Sequence, residues 1–257
     1  MKIAISGIGH MGAWLARELR GDHIIAVYDK DAERSGAIEG VTALSRPSGL
    51  ENFKPEFFIN AVSLRSTIAA FEESLPYLPK ECIICDVVSI KTGMPDYYRA
   101  SPFRFVSMHP MFGPTFANMD SLREENVVII SESDREGAEF FRGFFTSLGL
   151  KTFEYSFQEH DRMMAYSLTL PFIASMVFAA CVDVKTVPGT TFRRHMAIAK
   201  GLLSEDDSLL TEILFNPYSI AEVEKVTSRL EFLKHVIRGK DDEELAAFFK
   251  KLRNNIA

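Results

Sequence analysis

The chain predicts an α/β fold, a doubly wound sheet followed by an all-helical domain, and three observations carry that reading. Short apolar, β-rich runs alternate with helical patterns up to Tyr155. A glycine cluster follows the first of these runs and opens the first helical pattern. Beyond Tyr155 the strand signal stops and only helical patterns remain. Alternation of strands and helices implies parallel crossovers and a doubly wound sheet. The expected domains are therefore 1–155 and 156–257.

The strand-like runs are Lys2–Ser6, His23–Tyr28, Glu56–Ala61, Cys82–Val87, Phe103–Met108, Asn126–Ser131 and Lys151–Tyr155. Helical patterns fall between them at Met11–Arg20, Ser66–Leu75 and Asp134–Leu148. The second half reads as helices over Gln158–Val182, Thr191–Leu203, Ser208–Leu214, Ile220–Arg238 and Asp241–Asn254. Pro188-Gly189 and Asn216-Pro217 supply the breaks.

A chain of 257 residues, 47% hydrophobic and 25% charged, can build one large or two modest cores. Its net charge of −6, with no basic block, gives no support to nucleic-acid binding. Three cysteines and the absence of a secretory pattern point to a reducing, cytoplasmic setting. Cys82 and Cys85 form a C-x-x-C inside an apolar run, where residues three apart face opposite sides of a strand. With no second Cys/His pair at ligand spacing, no metal site is expected. Met163–Val182 is an uncharged run of 20 residues, long enough for a membrane span. Ser167, Thr169, Pro171 and Ser175 interrupt it and both signs of charge flank it, so it reads as a buried helix or a subunit interface and no membrane association is expected.

Gly7-Ile8-Gly9-His10-Met11-Gly12 stands between a strand pattern and a helix pattern, the context that a dinucleotide fingerprint requires. Gly7 makes the tight turn, Gly9 lets the backbone approach a pyrophosphate, and Gly12 lets helix and strand pack closely. The helix start offers free N–H groups and a partial positive charge to the phosphates. Asp29 ends the second strand pattern, 22 residues beyond Gly7, where a carboxylate would accept hydrogen bonds from ribose hydroxyls and repel a 2′-phosphate. NAD is therefore the expected cofactor and NADP the lesser one, with Lys30 weakening the preference. Ala61, Val62 and Ser63 end another strand pattern at the same sheet edge and are assigned to the adenosine half.

His109 follows the apolar run Phe103–Met108 and precedes Pro110-Met111-Phe112-Gly113-Pro114, which places an imidazole at the C-terminal mouth of a strand. Its ordinary pKa lies close to neutrality, so it can take or give a proton there. Asp86-Val87-Val88-Ser89-Ile90-Lys91 ends the preceding strand pattern. Ser89 can hydrogen-bond the imidazole or a substrate hydroxyl. Lys91 can bind a substrate carboxylate or stand as a solvated helix-start residue.

With the glycine fingerprint, D-V-V-S-I-K, H-P-M-F-G-P and Glu159-His160-Asp161-Arg162-Met163-Met164-Ala165 in this order, the chain resembles the prephenate dehydrogenase family of tyrosine biosynthesis. The resemblance covers nearly the whole chain and weakens past about Asn216. It implies a Rossmann domain followed by a helical dimerisation domain, hence a homodimer. It also implies NAD-dependent oxidative decarboxylation of prephenate to 4-hydroxyphenylpyruvate, with His109 accepting the hydrogen bond of the ring hydroxyl and Ser89 orienting both.

A guanidinium suits the substrate carboxylates. Arg193 matches one arginine of the family; the family's second falls on Gly201, leaving Lys200 as the nearest cation. Phe172 stands where many relatives carry a histidine, which leaves arogenate as the alternative acceptor. His160 is expected to brace the helix between the domains. A β-hydroxyacid-type dehydrogenase and a catalytically silent dinucleotide-binding regulator are the competing readings. No tyrosine-sensing module is expected after Ala257.

Overall fold

The computed structural model describes residues 1–112, 122–183 and 187–257. Gly113 and Pro114, the end of the H-P-M-F-G-P turn, lie outside the described residues. Eight strands form one sheet: β1 (Lys2–Ser6), β2 (Ile24–Tyr28), β3 (Thr42–Ala43), β4 (Phe57–Asn60), β5 (Ile83–Asp86), β6 (Phe105–Pro110), β7 (Asn126–Ile130) and β8 (Lys151–Tyr155). The helices of the first half are α1 (His10–Leu19), α2 (Ala32–Gly36), α3 (Gly49–Phe53), α4 (Leu64–Ser74), α5 (Met94–Ala100) and α6 (Arg135–Ser147). Those of the second are α7 (Phe157–Met164), α8 (Leu170–Ala180), α9 (Thr190–Leu202), α10 (Asp207–Leu214), α11 (Ser219–Gly239) and α12 (Asp242–Asn255).

The strand order is β3-β2-β1-β4-β5-β6-β7-β8, and β1 to β6 pair in parallel. The order reverses between β1 and β4, the point at which open sheets of this type bind ligands. The core runs on both faces of the sheet. Leu15 of α1 and Phe141 and Phe145 of α6 pack with Ile3, Ile5, Val106 and Met108 on one face. Phe71 of α4, Tyr98 of α5 and Phe157 of α7 pack with Ala4, Phe58 and Ile84 on the other. Cys85 and Cys82 fall in these two clusters respectively, as the spacing predicts. Burial pushes the Cys82 thiol up to about 12 and Cys85 well above its ordinary value, which keeps both protonated and inert.

Three features correct the sequence reading of this half. β6 and β7 are antiparallel, Met108 opposite Ile129, His109 opposite Val128 and Pro110 opposite Val127, where parallel crossovers were expected throughout. No helical pattern separates these two strands in the sequence, so the helix-mediated return that a parallel pair needs is missing. β6 also runs on to Pro110, so His109 lies inside a strand rather than past its end. Finally, β3 and the helices α2, α3 and α5 are too short to show a period of their own.

The chain divides into two compact units, Met1–Met164 with Asp206–Asn216, and Ala165–Glu205 with Pro217–Ala257. The first unit thus reaches past Tyr155 to include α7 and takes back α10. Asn216, which ends that returning segment, donates from Nδ2 to the Asp161 carbonyl at 2.7 Å.

In the second unit, the single helix expected over Gln158–Val182 is broken by a wide, π-helical turn at Ala165–Thr169, just ahead of Pro171. Thr169 in that turn is hydrogen-bonded to Ser219 of α11 at 2.6 Å between hydroxyls. Phe178 of α8 packs on Phe192 of α9, and Phe232 of α11 on Phe248 of α12. α8 buries none of its residues, so it is not the buried helix centre that its composition suggests. Among the described residues, Phe157–Ala180 is the helical stretch long and apolar enough to cross a membrane.

Candidate active site

Sequence chemistry explains the glycine loop directly. Gly7 has φ +88°, a left-handed conformation that disfavours any side chain. A Cβ on Gly12 would lie 1.9 Å from the Gly7 carbonyl oxygen, so only glycine lets α1 start this close to β1. Gly9 stands at the helix N-cap with no side-chain cap, and a Cβ there would meet open space. The first N–H groups of α1 are therefore free of side-chain capping and approachable by an anion. Asp29, half-buried past the end of β2, accepts the Ile8 N–H at 2.6 Å and the Asp31 N–H at 2.9 Å. Those bonds hold its carboxylate against the glycine loop. Each oxygen keeps a lone pair for a ribose hydroxyl.

Two cavities flank this loop. One, of about 630 Å³, is lined by Ile8, Gly9 and His10 with Arg17 and Arg34. The other, of about 280 Å³, is lined by Met11, Ala61, Val62 and Ser63, by Val87 and Ser89 beyond β5, and by Asp206, Ser208 and Glu212. The cofactor residues expected from the sequence thus share the sheet edge at the switch point, and Ser89 shares a cavity with four of them, Met11, Ala61, Val62 and Ser63. The contribution of α10 and its N-cap Asp206 has no signal in the sequence. It arises because the chain leaves the first unit at Met164 and returns for one short helix.

Around His109 the structure builds a buried polar cluster. His109 is 5% exposed, while Asp86, Lys91 and His160 are 0% exposed. His109 Nδ1 lies 3.0 Å from His160 Nε2, and His160 Nδ1 lies 2.9 Å from Asp161 Oδ1. That same Oδ1 accepts the Lys91 backbone N–H at 2.8 Å, and Asp161 Oδ2 accepts the Thr92 hydroxyl at 3.3 Å. Lys91 Nζ donates to Asp86 Oδ1 and to the Met108 carbonyl, each at 2.6 Å. The Tyr98 hydroxyl donates to Asp86 Oδ2, also at 2.6 Å.

Three expectations change here. Lys91 is neither a solvated helix-start residue nor free to meet a substrate carboxylate: its ammonium is sealed in the fold against Asp86. A buried lysine with a carboxylate partner fits D-x-x-x-x-K as well as an exposed one does, and only burial separates them. Ser89, half-buried, makes no hydrogen bond to His109 among the described residues; His160 occupies that place. His160 does more than brace a helix, and sequence reasoning missed its pairing with His109 because the two residues are 51 positions apart.

The electrostatics follow from burial. Desolvation, helped by the neighbouring His160 and the Lys91 cation, holds the His109 ring well below the ordinary histidine value. His160 is lowered too, by burial first, with its Asp161 hydrogen bond opposing. Burial also lowers Lys91 against the pull of Asp86. At neutral pH the cluster therefore presents a neutral imidazole at the ligand-binding edge of the sheet, the state that can accept a proton.

Residues 15–147, which contain Ala61–Ser63, Ser89 and His109, match the family model described as "Prephenate dehydrogenase, nucleotide-binding domain". The chain belongs to the prephenate dehydrogenase family. Among curated members of this family it is 24% identical to a "Probable arogenate/prephenate dehydrogenase" of Methanocaldococcus jannaschii, over 96% of this chain and 59% of that protein. It is 23% identical to a "T-protein" of Enterobacter agglomerans over 69% of this chain and 50% of that protein. The chain thus spans between half and three-fifths of the length of these curated relatives.

Solved structures of the family share its fold. The Aquifex aeolicus prephenate dehydrogenase in complex with hydroxyphenyl propionate and NAD⁺ superposes with a TM-score of 0.84 at 21% identity, covering 99% of this chain and 96% of that one. The Synechocystis arogenate dehydrogenase gives 0.79 at 20% identity, covering 99% and 98%.

Arg193 and Lys200 lie on α9 of the second unit, both exposed. They are seven residues apart, hence on one helix face. The Arg193 guanidinium donates to the Pro188 carbonyl at 3.1 Å and to the Thr190 hydroxyl at 3.4 Å, which ties it to the start of its own helix.

Proposed function

We propose that the protein is an NAD-dependent prephenate dehydrogenase. The observation that carries this reading is a buried His109 on β6, hydrogen-bonded to His160, at the same sheet edge as a glycine loop whose helix start carries no side-chain cap. Gly7, Ile8, Gly9, His10, Met11 and Gly12 hold the pyrophosphate, Asp29 the adenosine ribose, and Ala61, Val62 and Ser63 the adjoining wall. Held by these residues, NAD⁺ would supply the hydride acceptor for ring C4 of the substrate.

His109 takes the C4 hydroxyl proton as that C–H bond breaks, and C4 becomes a carbonyl carbon. The electrons of the C1–carboxylate bond then enter the ring, CO₂ departs, and the proton returns from His109 to what is now a phenol oxygen. Ser89 hydrogen-bonds the same hydroxyl. Arg193 and Lys200 hold the carboxylates. The single negative charge of Asp29 favours NAD over NADP, because a 2′-phosphate would meet it.

The second unit makes the enzyme a homodimer. Val177, Ile198, Ile220 and Ile237 stand exposed on α8, α9 and α11, a surface that a second copy would cover. A span through a membrane is disfavoured because Phe157, His160, Asp161 and Met164 of α7 are buried in the first unit. The remaining sixteen residues, Ala165 to Ala180, reach roughly 24 Å as a helix, short of the ~30 Å hydrocarbon core. Three free cysteines, one of them exposed, suit a reducing cytoplasm.

The test is NADH formation with prephenate and with arogenate, in NAD⁺ and in NADP⁺. Turnover of prephenate with NAD⁺ is expected. Turnover of arogenate alone would move the substrate to the transaminated form, and tight NAD binding with no turnover of either would make the chain a regulator. Sedimentation should show a dimer that Val177→Glu weakens at least tenfold; a concentration-independent monomer would remove the dimer.

A further inference from the structure

We propose that His160 is a positioning residue that sets the tautomer of His109, through a one-way chain of hydrogen bonds from Asp161. The Lys91 backbone N–H can only donate, so Asp161 Oδ1 is an acceptor in its 2.8 Å contact. The same oxygen faces His160 Nδ1 at 2.9 Å, so that nitrogen carries the ring proton. A neutral His160 then has a bare lone pair on Nε2.

His109 Nδ1, 3.0 Å away, must carry the hydrogen that this lone pair accepts. One ring nitrogen of His109 is left without a proton, and it is Nε2. That is the atom which, on the reading above, accepts the substrate hydroxyl. The direction of the chain is thereby fixed from Asp161 outward: carboxylate, His160, His109, open nitrogen.

The surroundings explain why the chain keeps this direction. Lys91 and Asp86 face the pair from the segment after β5 and from β5 itself, Tyr98 of α5 closes on Asp86, and Asp161 shares α7 with His160. The Lys91 cation opposes an extra proton on either ring. Protonating His160 would turn its Nε2 into a donor. His109 would then have to accept through Nδ1 and carry its own proton on Nε2, where it could no longer take one from substrate. The pair therefore acts as a unit, with acid limbs that belong to both rings together. Fixing the tautomer of a general base by a buried neighbour is worth up to about 10⁴ in turnover elsewhere.

The decisive measurement is the tautomer of His109 in the wild-type protein, read by long-range ¹H–¹⁵N correlation on ¹⁵N-histidine-labelled chain at pH 7.5, without substrate. The expected result is a proton on Nδ1 of both His109 and His160. A proton on Nε2 of His109 overturns the proposal, whatever the kinetics. In His160→Leu, His109 should lose its single tautomer and kcat should fall by about 10²-fold, with KM moving less than threefold.

His160→Gln, whose amide can accept from His109 and donate to Asp161, should recover most of that loss and shift the acid limb of kcat. Equal loss in the Gln and Leu variants would reduce His160 to packing. The proposal rests on the assigned role of His109, but its test does not. The expected tautomer with no turnover of prephenate or arogenate would leave the relay standing and remove the function, and good turnover with the reversed tautomer would do the opposite.

Discussion

In the first unit Asp86, Lys91, His109, His160 and Asp161 are buried and each is hydrogen-bonded to another member of the set, whereas in the second unit α8 buries none of its side chains and Arg193 and Lys200 stand in solvent. The contrast has a physical origin. Ionisable groups taken out of water must find their partners inside the fold, because an unpaired one costs several kcal/mol. Such a cluster is complete within one chain and its geometry carries chemical direction. An apolar helix left in water implies a surface that another body covers. The polar cluster built from sheet and α7 is thus complete within one chain, whereas the exposed apolar surface of α8 is not.

Four measurements sharpen or break this contrast. The largest effect belongs to His109→Asn, for which NADH formation should fall by roughly 10²–10⁴-fold, the worth of a positioned acid–base group. Unchanged turnover would mean that the buried cluster is only structural. Next comes Lys91→Met, which leaves Asp86 buried without its cation. Urea unfolding should show a loss of about 3–5 kcal/mol, the cost of breaking a buried pair. A loss below about 1 kcal/mol would place Lys91 in solvent after all.

The third is pH dependence. The unfolded chain protonates its histidines near pH 6.5, while His109 and His160 in the fold do so only at lower pH. Stability is therefore full above about 6.5 and falls as pH drops below it, by up to about 2.7 kcal/mol per unit for two rings. In His109→Asn that slope should roughly halve. The smallest effect is expected in the exposed unit. Arg193→Ala should change stability by less than about 0.5 kcal/mol and raise KM about tenfold, as loss of a charged hydrogen bond does. An unchanged KM would return Arg193 to the surface.

The features legible from sequence were those with a local cause. The β1–α1 glycine loop could be read because Gly7 and Gly12 answer to steric limits within a few residues. The opposite faces of Cys82 and Cys85 follow from strand alternation alone. His109 was legible as a strand-end histidine. Lys91 and His160 were misread for the same reason in both cases. Their side chains answer to Asp86, Met108, Asp161 and His109, and the contacts with Met108 and His109 depend on how the fold brings distant segments together.

The uncharged run of α8 was read correctly as a helix, and of its two expected settings, a buried helix or a subunit interface, the single chain does not supply the first, because composition does not report what covers a face. The return of α10 to the first unit had no local cause to read. By itself, then, the sequence determined the strand–helix alternation, the anion-binding start of α1, the acid at Asp29 and the presence of a histidine at the ligand edge. These are matters of backbone sterics and periodicity, settled within a few residues of chain. Only the tertiary structure decided that β7 pairs antiparallel over His109, that Lys91 is sealed against Asp86, and that His160 and Asp161 stand behind the His109 ring. Those outcomes turn on burial and on partners 5 to 70 residues apart, where the low dielectric of the interior makes each unmet hydrogen bond costly enough to dictate the arrangement.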